Sequence, residues 1–178
     1  MVFAEQNSVW KDDFLCTASK VGAKTAGISC SGIGKLTLVA SQSGLCEIIF
    51  GAKKVVKNRK VSVVTKRNLS LAEKQLQEYF AGKRKKFSLK LDISGTKFQT
   101  AAWYSLATIP YGQTISYAQQ AKLVRKPRAF RAVGSANGKN PVAIVLPCHR
   151  VIASDGTLGG YGGGLAIKRK LLALEKSF

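Results

Sequence analysis

The chain has 178 residues, 46% of them hydrophobic, and carries 29 Lys and Arg against 9 Asp and Glu, a formal charge of +20. Residues 1–92 hold 17 basic and 7 acidic side chains and residues 93–178 hold 12 and 2, so the charge is not a basic tail on a neutral domain. This balance favours a polyanionic partner, nucleic acid first. It leaves no apolar run long enough to span a bilayer, and no basic amphipathic helix with an aromatic face to lie on one. The N-terminus, Met1-Val-Phe-Ala-Glu, lacks the charged and apolar regions of a signal peptide. The reading is an intracellular protein, nuclear if the source is eukaryotic and cytoplasmic if it is prokaryotic.

In chain order, Lys35–Val39 alternates with period two and predicts a strand. Ser41-Gln-Ser-Gly44 predicts a turn, and Leu45–Phe50 the returning strand of a hairpin. Lys53–Arg67, rich in Lys and Val, reads as a solvated loop or an edge strand. Ser70 with Glu73 three residues on predicts a capping box, opening a helix that ends at Gly82. Residues up to Gly95 form the boundary between a domain at 1–92 and another at 93–178. In the second, Phe98, Ala102, Leu106 and Ile109 recur at helical spacing with Trp103 alongside, a core-facing stripe. Ser116 predicts the cap of a short helix over Tyr117–Val124. A turn at Arg125-Lys-Pro127 follows, with Pro127 placed to open another helix that runs to Asn137-Gly138.

Two short helices joined by a tight turn read as a helix-turn-helix. On the second, Arg128, Arg131 and Ser135 share a face, and Ala132, Val133 and Ala136 are small enough to let the backbone approach a groove. An ordinary helical corner with exposed arginines is the alternative. The fold class is therefore α/β: a small N-terminal α/β domain on an antiparallel hairpin, then a mainly helical C-terminal domain.

The chemistry concentrates at Asn140-Pro-Val-Ala-Ile-Val-Leu-Pro-Cys-His-Arg150, where Cys148 stands beside the only histidine, His149. The apolar run reads as a short buried strand that delivers the thiol at its end, where Pro147 turns the chain. A thiol is mostly protonated near neutral pH, and an adjacent imidazole can accept its proton. A buried structural Cys beside a capping His is the other reading. The four cysteines, Cys16, Cys30, Cys46 and Cys148, form no C-x-x-C pair, which argues against a disulfide framework. Cys16, Cys30 and Cys46 are a weak option for zinc; the reading has no metal and no cofactor.

Gly159-Gly-Tyr-Gly-Gly-Gly164 lacks the Lys-Ser/Thr ending of a phosphate loop, yet its composition lets backbone N–H groups approach a ligand, with Tyr161 beside them. A last helix over Leu165–Lys176 points Ile167, Leu171 and Leu174 inward, and Glu175 sits beside that apolar face. Asp155 lies in a turn sequence, so Glu175 is the better orienter for His149, completing a Cys–His–Glu relay.

Gly95-Thr-Lys-Phe-Gln99, Ile109-Pro-Tyr-Gly112, Ser116-Tyr117, Arg131-Ala-Val-Gly134, Asn140-Pro141, Pro147-Cys-His-Arg-Val151, Gly160-Tyr161 and Lys168 to Glu175 follow one another across residues 95–178. In that order and spacing the chain resembles the O6-alkylguanine-DNA alkyltransferases. Gly34-Lys-Leu, Gly44-Leu45 and Gln77–Gly82 carry a weaker match in the first domain.

The resemblance implies a self-inactivating repair protein, a monomer that binds double-stranded DNA through the minor groove. It would extrude O6-alkylguanine, and also O4-alkylthymine, and keep the alkyl group as a thioether on Cys148. His149 would deprotonate Cys148 through a water, and Glu175 would orient His149. Tyr117 would donate to guanine N3 and press on the neighbouring phosphate. Arg131 would fill the gap left by the base, with Arg128, Ala132 and Ser135 along the DNA. Asn140 would tie the turn after the second helix to the active-site strand. Backbone groups of Cys148, Val151 and Gly162 would read the guanine edge, and Tyr161 would wall the pocket. The chain departs from relatives at Gly162, where several carry Ser, and at Ala143, where vertebrate members carry Pro. The vertebrate zinc site is incomplete, with Cys46 and Ser41 where that branch has a ligand His and a ligand Cys.

Three rivals remain on the sequence alone: a non-catalytic lesion binder, a cysteine hydrolase, and an architectural DNA-binding protein.

Overall fold

A computed structural model describes residues 16–19, 25–30, 32–51 and 62–176. Two compact units emerge, one ending at Ile93 and joined by the last residues from Leu174, the other Ser94–Ala173.

In the first unit, β1 (Cys16–Ser19), β2 (Thr25–Cys30), β3 (Gly34–Ala40) and β4 (Leu45–Phe50) form an antiparallel sheet in sequence order. The predicted hairpin is β3–β4, with Leu36 opposite Phe50 and Leu38 opposite Ile48. Leu36, Leu38 and Ala40 bury one face, and α1 (Val63–Phe80) packs over it with Leu69, Ala72, Leu76, Tyr79 and Phe80. That spacing of three and four is one helical stripe.

Gly44 is dictated by a close approach. A Cβ there would lie 2.4 Å from the Lys90 carbonyl oxygen. The 90–92 segment runs along the β4 edge, with Leu45 N–H donating to Lys90 O at 2.8 Å and Asp92 N–H to Leu45 O at 2.9 Å. The borrowed strand thus satisfies an otherwise open sheet edge.

The start of α1 corrects the sequence reading. Ser62, not Ser70, is its cap, accepting from Thr65 N–H at 3.1 Å, and Ser70 lies mid-helix. Val63 to Arg67 are therefore helical rather than loop or edge strand; the rest of that stretch, residues 53–61, lies outside the described residues. Val63 and Val64 are 81% and 50% exposed, so no buried stripe announces this turn, and their β-branched side chains suggest a strand. The helix ends as expected, with Gly82 at a positive φ of 71°.

In the second unit, α2 (Lys97–Leu106) opens with a reciprocal capping box between Thr96 and Gln99. It buries Ala102, Trp103 and Leu106. β5 (Ile115–Ser116) leads directly into α3 (Tyr117–Leu123), capped by Ser116 and Gln119. A turn then reaches α4 (Phe130–Gly138). Pro127 and Arg128 belong to that turn and not to the helix, which shifts the start of α4 by three residues. Two amides weld the helix pair: Asn137 Nδ2 donates to Gln120 Oε1 at 2.7 Å, and Gln120 Nε2 to Asn137 Oδ1 at 3.2 Å. Trp103 Nε1 donates to Ala136 O at 2.7 Å, fixing α2 to α4.

The expected strand before Cys148 is instead a chain of buried turns, with one isolated bridge between Ala143 and Leu146 and Ile144 at a φ of 77°. Pro141 and Pro147 remove donors at both ends of the run. Asn140 supplies the missing partners: its Nδ2 donates to Leu146 O at 2.7 Å and its Oδ1 accepts from Val142 N–H at 3.1 Å. Cys148–Arg150 form one 3-10 turn, followed by β6 (Val151–Ile152), which pairs in parallel with β5. The chain closes with α5 (Leu165–Lys176), at the expected bounds.

Candidate active site

The β5–β6 pair aligns the site. Ile115 lies opposite Val151 and Ser116 opposite Ile152, so the residue after β5, Tyr117, and the turn before β6, Cys148–Arg150, are held together. Arg150 anchors that turn from below: it is buried, its Nη1 donates to Ile109 O at 2.6 Å, and its guanidinium stands 5.6 Å from the Tyr111 ring centroid.

Cys148 is 6% exposed and opens into a cavity of about 540 Å³. Tyr117, Arg131, Tyr161 and Gly162 line the same cavity, as do Phe130, Gly134 and Asn137. His149 is fully buried, with its ring edge-to-face on Tyr161 at 6.5 Å between centroids.

Burial pushes the Cys148 thiol up, while a hydrogen bond with Asn140 and the charge of Lys168 pull it back down. Burial, and then the charge of Cys148, also pushes the Tyr117 hydroxyl up, so Tyr117 keeps its proton and stays a donor. Asn140 thus has two functions here, shaping the turn and favouring the thiolate.

Arg131, Ala132 and Ser135 lie on the exposed face of α4, and Arg131 also lines the cavity. Val133 and Ala136 do not join them: both are buried, so the small residues there serve packing instead of approach to a groove. Arg128 is displaced from that face as well. It lines a second hollow of about 440 Å³ with Arg125, Lys126, Pro127 and Ala129, in the turn before α4. Val151 is fully buried in β6. Glu175 is 3% exposed and accepts a 2.7 Å hydrogen bond from Tyr79 Oη within the first unit.

One residue of the site has no role in the sequence reading. Lys168 on α5 is fully buried, its Nζ donating to Val151 O at 2.7 Å and to Leu158 O. Its ammonium stands 5.9 Å from the Tyr117 ring centroid. Burial lowers its pKa, and the nearby Cys148 charge opposes that. The signal was available: Lys168 is three residues before Leu171 and seven before Glu175, on the same helical stripe.

Gly159 is the glycine the loop needs. Its φ is +63°, and a Cβ there would come 2.8 Å from Tyr117 Oη. Gly162, by contrast, has open space around it.

Among the described residues, no group of three or more His, Cys, Asp and Glu side chains could hold a metal ion. No helix among them is long and apolar enough to cross a membrane.

Known proteins resemble this chain over most of its length. A family model described as 6-O-methylguanine DNA methyltransferase, DNA binding domain, matches residues 97–177, and its ribonuclease-like domain counterpart matches residues 27–93. A methylated-DNA–protein-cysteine methyltransferase of Methanosarcina barkeri is 46% identical over 148 residues, covering 83% of this chain and 94% of that protein. Its namesake in Mycobacterium bovis is 47% identical over 147 residues, covering 83% and 89%. A crystal structure of Mycobacterium tuberculosis OGT in complex with DNA is similar with a TM-score of 0.75 and 46% identity, covering 85% of this chain and 91% of that one.

Proposed function

This chain belongs to the 6-O-methylguanine DNA methyltransferase family, and on that premise we propose that it repairs DNA by moving the alkyl group of O6-alkylguanine onto Cys148. The observation that carries the assignment to Cys148 is its cavity. A buried thiol opens into a hollow lined by Arg131, Tyr117, Tyr161 and glycines of the 159–164 loop.

The α3–turn–α4 unit is the DNA-binding helix-turn-helix, with Arg131, Ala132 and Ser135 facing the duplex and Arg128 contributing from the turn. The damaged base leaves the stack and enters the cavity, at a cost of a few kcal/mol that is smallest for a poorly paired lesion. Arg131 takes the place of the base. The Cys148 Sγ then attacks the alkyl carbon, forming the C–S bond as the C–O6 bond breaks. The electron pair returns to the guanine ring, where Tyr117 supplies a hydrogen bond or proton at N3. His149 takes the thiol proton through a water, and Glu175 is the carboxylate that orients it.

Burial pushes the Cys148 thiol up, so a base that takes its proton favours the attack. The thioether is not hydrolysed, so each molecule acts once. The backbone of Cys148, Val151 and Gly162 reads the guanine edge. O4-alkylthymine fits the same chemistry as a second substrate. The chain acts as a monomer, since Cys148, Tyr117 and Arg131 all line one cavity of a single chain.

Replacement of Cys148 by Ser tests the assignment. It should abolish transfer from duplex O6-methylguanine DNA and leave binding of that DNA nearly intact, since a hydroxyl is a far weaker nucleophile at neutral pH. Stoichiometric transfer by the variant would move the nucleophile elsewhere.

A further inference from the structure

Phe130 is the first residue of α4, and nothing in the proposed transfer uses it. Aromatic side chains of this size normally go to the core. Phe130 does not: it is 45% exposed, while α4 buries Val133, Ala136 and Asn137. It lines the same cavity as Cys148. The Arg131 guanidinium stands 5.7 Å from its ring centroid. The turn just before it presents Arg125, Lys126 and Arg128 around one hollow. A large apolar ring thus sits among cations, on the surface that a polyanion would meet.

We propose that Phe130 is an intercalating wedge, whose ring stacks on the base bordering the gap that Arg131 fills. The proposal rests on the reading of Cys148 as the acceptor of an alkyl group from an extruded base. When a nucleotide leaves the duplex, its neighbours lose a stacking partner on one face. A guanidinium fills the gap with charge and hydrogen-bond donors but offers little apolar surface. An adjacent ring supplies that surface. Apolar side chains inserted between base steps hold a duplex open, and stacking on an aromatic ring tolerates any base. The pair therefore divides the work: Arg131 replaces the missing base, and Phe130 covers the exposed face of the next one. The simpler alternative is that Phe130 only steadies Arg131 through its ring.

The experiment compares the full chain with Phe130→Ala, Phe130→Trp, Arg131→Ala and the double variant. Transfer is timed on duplex O6-methylguanine DNA, on the same strand unpaired, and on free O6-benzylguanine. A 2-aminopurine next to the lesion reports stacking. Phe130→Ala should lower the duplex rate about tenfold more than the free-base rate, the size of one base–aromatic stack. Phe130→Trp should restore it. The 2-aminopurine signal should differ between Phe130→Ala and the unaltered chain at saturating protein. The second substitution should still slow duplex transfer when Arg131 is already Ala.

Equal losses on duplex and free base would overturn the proposal, making Phe130 part of the pocket. No added loss in the Arg131→Ala background would overturn it too, leaving Phe130 as a support for Arg131. Failure of the unaltered chain to react with any of the substrates would instead defeat the assignment of the site itself.

Discussion

Lys168 Nζ donates to the Val151 carbonyl at 2.7 Å, so a fully buried ammonium is tied to the strand that leaves the Cys148 turn. The same nitrogen reaches Leu158 O, ahead of the glycine loop. One side chain thereby ties β6 to the segment ahead of the glycine loop while its charge favours the thiolate.

Lys168→Met keeps the length and removes both effects. A buried carbonyl at Val151 and a half-buried one at Leu158 lose their donor, which should cost about 1–3 kcal/mol, read by denaturant unfolding. Loss of the positive charge should also move formation of the Cys148 thiolate to higher pH. The measure is the pH midpoint of Cys148 alkylation by iodoacetamide, followed by peptide mapping. An unchanged midpoint would mean that Lys168 is a structural clamp only.

Gly159→Ala should be harmful for two separable reasons. The positive φ alone should cost roughly 1 kcal/mol. The added Cβ would meet Tyr117 Oη, so Tyr117 must move and transfer should slow beyond what the stability loss explains. Wild-type transfer rates in a folded variant would show that the position of Tyr117 does not matter.

Tyr79 and Glu175 make a buried hydrogen bond that can be cut from either side. Tyr79→Phe should cost about 1.5–3 kcal/mol, as expected for a bond to a carboxylate. Glu175→Gln should slow transfer about tenfold or more if the carboxylate also orients His149. The kinetic loss should exceed that of Tyr79→Phe at equal stability. Identical rates in the two variants would reduce Glu175 to a structural role.

Arg131→Ala should lower the rate on duplex DNA much more than on free alkylguanine, because only the duplex needs its extruded base replaced. Binding should weaken with salt along a log–log slope of about −0.9 for each phosphate neutralised. Equal losses on both substrates would assign Arg131 to the fold or to the chemistry.

The sequence was most legible where local signals decide the structure. Ser116 alone predicts a cap, and α3 begins where that cap says, with Gln119 completing a capping box. The α5 bounds and the β3–β4 hairpin are equally local. The start of α1 was not legible, because Val63 and Val64 face solvent and carry no stripe. Residues 142–146 read as a strand because β-branched composition cannot reveal that Asn140 would take over their hydrogen bonds. Arg128 was misplaced for a related reason: Pro127 suits a first helical turn, but the chain keeps it in the preceding loop. Of the cavity, Cys148, Arg131 and Tyr161 were read from the residues themselves, and Tyr117 and Gly162 came with the family resemblance. Phe130 was passed over because an exposed aromatic is visible only once burial is known, and Lys168 because its place on the stripe of Leu171 and Glu175 went unused.

The most direct test is the intact mass of the protein after incubation with excess duplex O6-methylguanine DNA, followed by peptide mapping. The account predicts a gain of one CH₂ per chain, located on Cys148, with no further reaction on adding fresh DNA. Multiple turnovers on an unmodified protein, or a methyl group on any other residue, would contradict it.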